Sequence, residues 1–297
     1  MKRATKDTLA GRRYLDLQRE ARRTGRLTDE LIQLYALECL LDRLTRSKYV
    51  GDFILKGGVL LAALDARRPT RDIDLAARAL ENGVAQALAV VREIAEISLD
   101  DGLVFHSDRA TAEVIREEDN YSGIRITLGG TLSRAEVRLH VDINVGDPIS
   151  PAPQEVRLPR LLGGELRIRG YPLEMVLAEK IVTALARGTA NTRWRDFLDL
   201  YVLVRRHAVH AQTLRASMQQ VAQYRGVTLV PLRPMLVGYP DIAQSRWLAW
   251  LRKQRLDAVA PVEFSIVVEV VTSFADPVIV SDAAAPGSWD PLRGTWI

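Results

Sequence analysis

The sequence predicts an α/β (α+β) N-terminal domain followed by a mainly helical C-terminal domain, and three observations carry that expectation. Stretches with strand alternation and stretches with helical spacing interleave as far as Val145. A run rich in proline and glycine, Gly146 to Gly170, then breaks the pattern. Beyond it, apolar residues recur mostly at helical intervals. The domains are accordingly set at residues 1–155 and 156–297, the second ending in an extended tail.

In chain order, Ala4 to Arg23 reads as an arginine-rich helix with a thin apolar stripe (Leu9, Tyr14, Leu17), stopped near Thr24-Gly25. Thr28 reads as an N-cap with Asp29 and Glu30 in the first turn, opening a strongly apolar helix through Leu31, Leu34, Tyr35, Cys39 and Leu41 towards Leu44. The lone Cys39 can form no internal disulfide and reads as a small buried side chain. Glu81 to Ser98 has helical spacing, and Leu103 to Phe105 and Glu113 to Ile115 read as short strands. Ile124, Ile126 and Leu128 then begin a hairpin whose loop is read at Gly129-Gly130. Its return strand, Arg134 to Val145, puts Ala135, Val137, Leu139, Val141, Ile143 and Val145 on one face and Glu136, Arg138, His140, Asp142 and Asn144 on the other.

Gly146 to Gly170 reads as a linker with one short strand around Leu166 to Ile168. Helices follow from Pro172 to Gly188, from Thr192 through Asp199, from Gln212 to Tyr224 and from Ile242 to Arg255. Val262 to Phe274 mixes β-branched residues with a helical stripe and is assigned to helix. After Asp276 an extended tail is expected, pinned back by Trp289 and Trp296.

The chemistry concentrates in Phe53 to Leu75. An apolar run, Phe53 to Leu55, ends at Lys56-Gly57-Gly58, where paired glycines permit a tight turn and let a phosphate approach bare backbone N–H groups. A short helix from Gly58 to Leu64 would aim its N-terminus at such a phosphate. Further on, in Arg71-Asp72-Ile73-Asp74-Leu75, strand period places Asp72 and Asp74 on one face. Two such acids repel unless a cation holds them, and hard oxygen ligands suit Mg2+, which takes one or two carboxylates plus substrate phosphates. Each half has a plain alternative, a simple turn and a solvated strand end. If the polar face of the later strand meets this one, Asp142 becomes a third carboxylate, able to hold or activate an attacking hydroxyl; the alternative is a solvated polar face.

Composition narrows the classes. At 297 residues, with 47% apolar and 26% charged residues, the chain has enough material for a sizeable core. A net charge of +4 permits a polyanionic partner without requiring one. No apolar run reaches the roughly 18 residues of a membrane span, and the N-terminal stretch has no signal-peptide apolar core. A cytoplasmic protein without membrane association is expected.

Strand, Gly-Gly, helical spacer and D-x-D in this order resemble the nucleotidyltransferase superfamily that includes DNA polymerase beta. With Glu179-Lys180 and Arg195-Asp196-Phe197-Leu198-Asp199-Leu200 added, the chain resembles the AbiEii-type nucleotidyltransferases, toxins of type IV toxin–antitoxin and abortive-infection systems, a group that includes the mycobacterial MenT toxins. The resemblance runs from Thr28 to at least Val204. It implies a polymerase-beta-like nucleotidyltransferase domain joined to a helical domain. The activity implied is transfer of a nucleoside monophosphate from a nucleoside triphosphate to the 3′ end of tRNA, which blocks translation, and a cognate antitoxin is implied as a partner.

By position, the resemblance has Gly57 and Gly58 flank the triphosphate, Asp72 and Asp74 bind metal (Mg2+ or Mn2+) with Asp142 as third carboxylate, and Lys180 and Asp199 serve the reaction from the helical domain. Lys180 would supply a mobile positive charge for the triphosphate, with Lys56 and Arg71 as further candidates. Asp199 has a second explanation, a structural ion pair with Lys180 or Arg195. Two other functions stay open: the same chemistry on a protein or an aminoglycoside-like small molecule, and a nucleotide-binding module without turnover.

Overall fold

The structure, a computed structural model of the chain, describes residues 5–78, 83–116, 122–280 and 287–297. Its contacts divide the chain into two units, Met1–Asp147 with Gln154–Gly170, and Pro148–Pro153 with Tyr171–Ile297.

The first unit comprises α1 (Leu9–Thr24), α2 (Thr28–Thr45), β1 (Phe53–Lys56), α3 (Gly57–Leu60), β2 (Asp72–Ala77), α4 (Gly83–Glu96), β3 (Leu103–Phe105), β4 (Thr111–Arg116), β5 (Ser122–Leu132), β6 (Ala135–Val145), β7 (Gln154–Pro159) and β8 (Glu165–Gly170). Among the described residues these strands form one mixed sheet in the order β3-β5-β6-β2-β1-β8-β7, with β4 also on β5. The sheet is parallel between β2 and β6 and antiparallel between β5 and β6 and between β1 and β2. Strand period sorts the central strands into an apolar face and a charged one. On the apolar side Ile73, Leu75 and Val141 meet Leu40, Leu41 and Leu44 of α2 and Val91 and Ile94 of α4. Each such fully buried leucine contributes roughly 1.5–3 kcal/mol.

Because α2 is buried nearly throughout, its polar residues need partners in the interior. Arg67 binds Glu38 at 2.7 Å, Arg160 binds Asp42 at 2.8 Å, and Arg43 pairs with Asp101. Cys39 is buried beside them, and burial pushes its thiol up.

Several local expectations change. The turn of the β5–β6 hairpin is Ser133–Arg134, and Gly129-Gly130 lies inside β5, where Gly130 is opposite Phe105 of β3. A Cβ on Gly130 would stand 3.0 Å from the Val104 carbonyl, so the glycine is explained by the close approach of β3 and not by a loop. Of the stretch read as a linker, 146–153 has no regular structure, while 154–170 is a second hairpin. Val156 and Leu158 alternate inward opposite Ile168 and Leu166, and β7 ends the sheet, where Pro159 deprives no inner neighbour of a donor. The boundary expected at 155/156 therefore falls inside β7, and the first unit extends to Gly170. At the N-terminus α1 starts at Leu9, capped by the Thr8 hydroxyl, which accepts from the Gly11 N–H at 3.1 Å. Thr28 is the first residue of α2, Leu27 taking the cap position. The expected helix start at Glu81 lies outside the described residues.

The second unit holds α5 (Leu173–Arg187), α6 (Trp194–Val204), β9 (Val209–His210), α7 (Ala211–Arg225), α8 (Leu232–Met235), α9 (Tyr239–Gln254), α10 (Phe264–Val280), β10 (Ser288–Asp290) and β11 (Thr295–Trp296). Rings of Trp194, Phe197, Tyr239, Trp247 and Phe264 join α6, α9 and α10 in one aromatic core. Instead of ending near Asp276, α10 continues through Pro277, because its stripe Val267, Val271, Phe274 and Val278 is wholly buried over the added turn. Trp289 and Trp296 do close on the body. Both rings contact Phe274, and their indole N–H groups donate to the carbonyls of Val204 and Phe274 at 2.6 and 3.0 Å. Among the described residues no helix is long and apolar enough to cross a membrane.

Candidate active site

In the first unit, the charged face of the sheet gathers the residues singled out between Lys56 and Asp142. Register alone lines up Lys56 (β1), Asp74 (β2), Asp142 (β6), Arg125 (β5) and Glu113 (β4) as one row across five strands. A second row runs Asp72, His140, Thr127 and Thr111, and within it the Thr127 hydroxyl lies 3.0 Å from His140 Nδ1. Asp72 and Asp74 are thus successive acids on one face, both half-buried.

Asp74 is positioned by the glycine turn. Gly57 adopts φ +66°, and a Cβ there would lie 1.8 Å from Asp74 Oδ2, so the carboxylate occupies the space that a side chain at Gly57 would fill. The Gly58 N–H is directed at the same oxygen across a long 3.4 Å contact. Around Gly58 the chain folds back through residues 68–70. A Cβ on Gly58 would meet Thr70 Oγ1 at 2.8 Å and Arg68 Nη1 at 3.3 Å. Arg68 is therefore the arginine beside the turn, which sequence reasoning missed, whereas Arg71 is exposed. Lys56 is buried and its ammonium binds Asp147 Oδ2 at 2.7 Å.

Asp142 meets a different partner from the one anticipated. Arg125 Nε and Nη2 donate to its two carboxylate oxygens at 2.8 and 2.7 Å, a bidentate pair. Hydrogen bonding to Asp142 raises the guanidinium further above its ordinary pKa, and the charges of Asp142, Asp72 and Glu113 act in the same direction. The signal for Arg125 lay in the hairpin, but only with the turn at Ser133–Arg134 does it face Asp142.

A divalent cation fits part of this arrangement. Asp72 and Asp74 offer two hard oxygen ligands beside a turn with a bare backbone, a donor set suited to Mg2+ or Mn2+ completed by substrate phosphates. The expected three-carboxylate set with Asp142 is not assembled: among the described residues no group of three carboxylate, imidazole or thiol side chains is placed to hold a metal ion.

On the helical side of the same unit, a cavity of about 470 Å³ is lined by Arg13, Tyr35, Asp42, Arg46, Asp101 and Arg160. Its buried acids are already engaged, Asp42 by Arg46 and Arg160 and Asp101 by Arg43.

In the second unit Lys180 of α5 sits between two acids of α6, its ammonium 2.9 Å from Asp196 Oδ1 and 2.6 Å from Asp199 Oδ2. The acids are three residues apart, so one turn of helix presents both to one cation. Burial pushes the Asp196 carboxyl up, but the charges of Lys180 and Arg193 outweigh it and hold the group well below the usual carboxylate range.

The family of nucleotidyl transferase AbiEii toxins of type IV toxin–antitoxin systems matches residues 39–264, a span that holds every residue of both clusters. Two of the solved structures that are similar come from one organism. One is JHP933 from Helicobacter pylori, at 14% identity and a TM-score of 0.46 over 80% of this chain and 88% of that one. The other is a candidate nucleotidyltransferase from H. pylori, at 14% identity and a TM-score of 0.49 over 83% and 94%. Among curated protein sequences none matches the chain.

Proposed function

Since this chain belongs to the AbiEii nucleotidyl transferase toxin family of type IV toxin–antitoxin systems, we propose that it transfers a nucleoside monophosphate from a nucleoside triphosphate to the 3′ end of tRNA, and so blocks translation. The observation that carries the reading is the seating of Asp74 against the bare Cα of Gly57, with Asp72 on the same face. That arrangement places two carboxylates able to hold a divalent ion beside a turn that carries no side chains, and in-line attack on an α-phosphate is assisted by an ion positioned at the phosphate.

In this reading Asp72 and Asp74 hold Mg2+ or Mn2+, and the backbone of Gly57 and Gly58 borders the triphosphate. The ion supplies charge stabilisation to the phosphate oxygens in the transition state. Arg68, whose Nη1 donates to the Pro69 carbonyl at 3.1 Å, brings a positive charge beside the turn that would favour the triphosphate. Lys56, bound to Asp147, neutralises the row next to Asp74 and is assigned to holding the strand end in place. A cognate antitoxin is the partner expected of a toxin in such a system.

The experiment is incubation of the purified protein with Mg2+, each labelled nucleoside triphosphate in turn, and total tRNA. Label at the tRNA 3′ end, lost in Asp72→Ala while the thermal unfolding profile is kept, is the expected result. Label on protein alone would replace tRNA as the acceptor, and unchanged labelling in Asp72→Ala would remove Asp72 from catalysis.

A further inference from the structure

We infer that Arg125 is a fixed cation that withholds Asp142 from metal coordination, so that a divalent ion on the charged face is held by Asp72 and Asp74 without the third acid. The inference rests on the metal reading above and concerns how that site is built. Asp142 uses both oxygens on the guanidinium, through Nε at 2.8 Å and Nη2 at 2.7 Å. A planar fork on a carboxylate satisfies it in a geometry that a lysine or a water does not reproduce. Of the pair, the acid is the deeper member: its side chain is 11% exposed against 33% for Arg125.

The pairing is set by the fold and does not depend on a flexible approach. Arg125 and Asp142 are direct cross-strand neighbours in the β5–β6 hairpin, and on its other side Asp142 is in register with Asp74. Two acids at adjacent register positions on one face repel. A guanidinium on Asp142 relieves that repulsion from one flank, as Lys56 does beside Asp74 from the other. The alternative arrangement is also defined by register, because Glu113 faces Arg125 from β4. If the guanidinium moved to Glu113 when metal binds, Asp142 would be released as a third ligand.

Titration with Mn2+ in the presence of a non-hydrolysable nucleoside triphosphate, read by electron paramagnetic resonance, separates the two. Asp74→Asn is expected to weaken Mn2+ binding by about tenfold or more, Asp142→Asn to change it by about twofold or less, and Arg125→Gln to tighten it by about fivefold as Asp142 becomes available. Equal weakening in Asp142→Asn and Asp74→Asn would overturn this inference while leaving the metal reading intact. Absence of Mn2+ binding to the unaltered protein would overturn both.

A metal-free measurement tests the pairing itself. Arg125→Gln and Asp142→Asn should each lower the thermal midpoint, and the double variant should lower it by clearly less than the sum of the two. Additive losses would overturn the inference.

Discussion

Replacing Gly57 by alanine tests whether the glycine turn exists to seat Asp74. The residue stands at φ +66°, where a side chain costs about 1–2 kcal/mol. The added Cβ would lie 1.8 Å from Asp74 Oδ2, 2.3 Å from its Cγ and 2.7 Å from its Cβ. Rotating the carboxylate clears the first two contacts but not the third. The β1–β2 pairing of Lys56 with Asp74 must therefore yield as well, an overpacking cost of about 1–3 kcal/mol. The loss should total about 2–5 kcal/mol by denaturant unfolding. Transfer should fall about 100-fold or more, the usual consequence of moving a catalytic group by about 1 Å.

Gly58→Ala is the comparison. It has no positive φ and meets mainly the Thr70 hydroxyl, so about 1 kcal/mol is expected. In an Asp74→Gly background, which also removes the Cβ that rotation cannot clear, the Gly57 substitution should cost clearly less than in the unaltered protein. The same cost in both backgrounds would refute the claim that Gly57 makes room for Asp74, and transfer at the original rate in Gly57→Ala would refute the claim that this seating matters for the reaction.

Asp196 gives a pH dependence with a definite sign. Its folded-state pKa is depressed, so its stabilising contribution is full above the unfolded value of about 3.9 and is lost as pH falls through that value towards the folded one. Urea midpoints should drop between about pH 5 and pH 3 more steeply for the original protein than for Asp196→Asn. Lys180→Ala removes the ammonium between two acids that are 4% and 2% exposed, and should cost about 3–5 kcal/mol in thermal or denaturant unfolding. At a temperature where that variant stays folded, labelling at limiting triphosphate should fall further than RNA binding, and unchanged labelling would confine Lys180 to its structural role. Trp289→Ala empties a site on Phe274 and Trp296 and leaves the Val204 carbonyl without its indole donor, so a loss of about 3–5 kcal/mol is expected by calorimetry.

What could be read in advance follows from how local each signal is. Asp72 and Asp74 lie two residues apart on a strand, and that period alone puts them on one face, as it puts Ile73 and Leu75 on the other. The parallel pairing of β2 with β6 joins residues far apart in the chain, yet the alternation in Arg134 to Val145 already named Asp142 as belonging to the polar side. Arg125 was hidden because its partner depends on where the hairpin turns. Gly129-Gly130 is the stronger turn signal, and it lost to Ser133–Arg134, Gly130 serving instead the close approach of β3. The β7–β8 hairpin was obscured in a similar way. Prolines and a Gly163-Gly164 pair look like a linker when counted, but Pro148, Pro151 and Pro153 precede the hairpin, and Pro159 on the edge strand and the glycines in the turn stand where a sheet tolerates them.

The charged row has a further consequence for how the metal-free protein folds. A sheet face carrying Asp72, Asp74 and Asp142 without compensation would be strained in the absence of a cation, because like charges at neighbouring register positions repel. Here the compensation is covalently part of the sheet: Lys56 is next to Asp74 in the row and Arg125 next to Asp142, so the signs run positive, negative, negative, positive across four adjacent strands. Stability and metal affinity then pull in opposite directions at Asp142. The guanidinium that makes the acid tolerable in the empty protein is the group a metal would have to displace. At Asp74 the neighbouring cation, Lys56, also binds Asp147, and the glycine beside the carboxylate carries no side chain. The difference between the two acids is therefore one of geometry at their neighbours: a planar guanidinium grips both oxygens of Asp142, whereas a glycine turn lies beside Asp74.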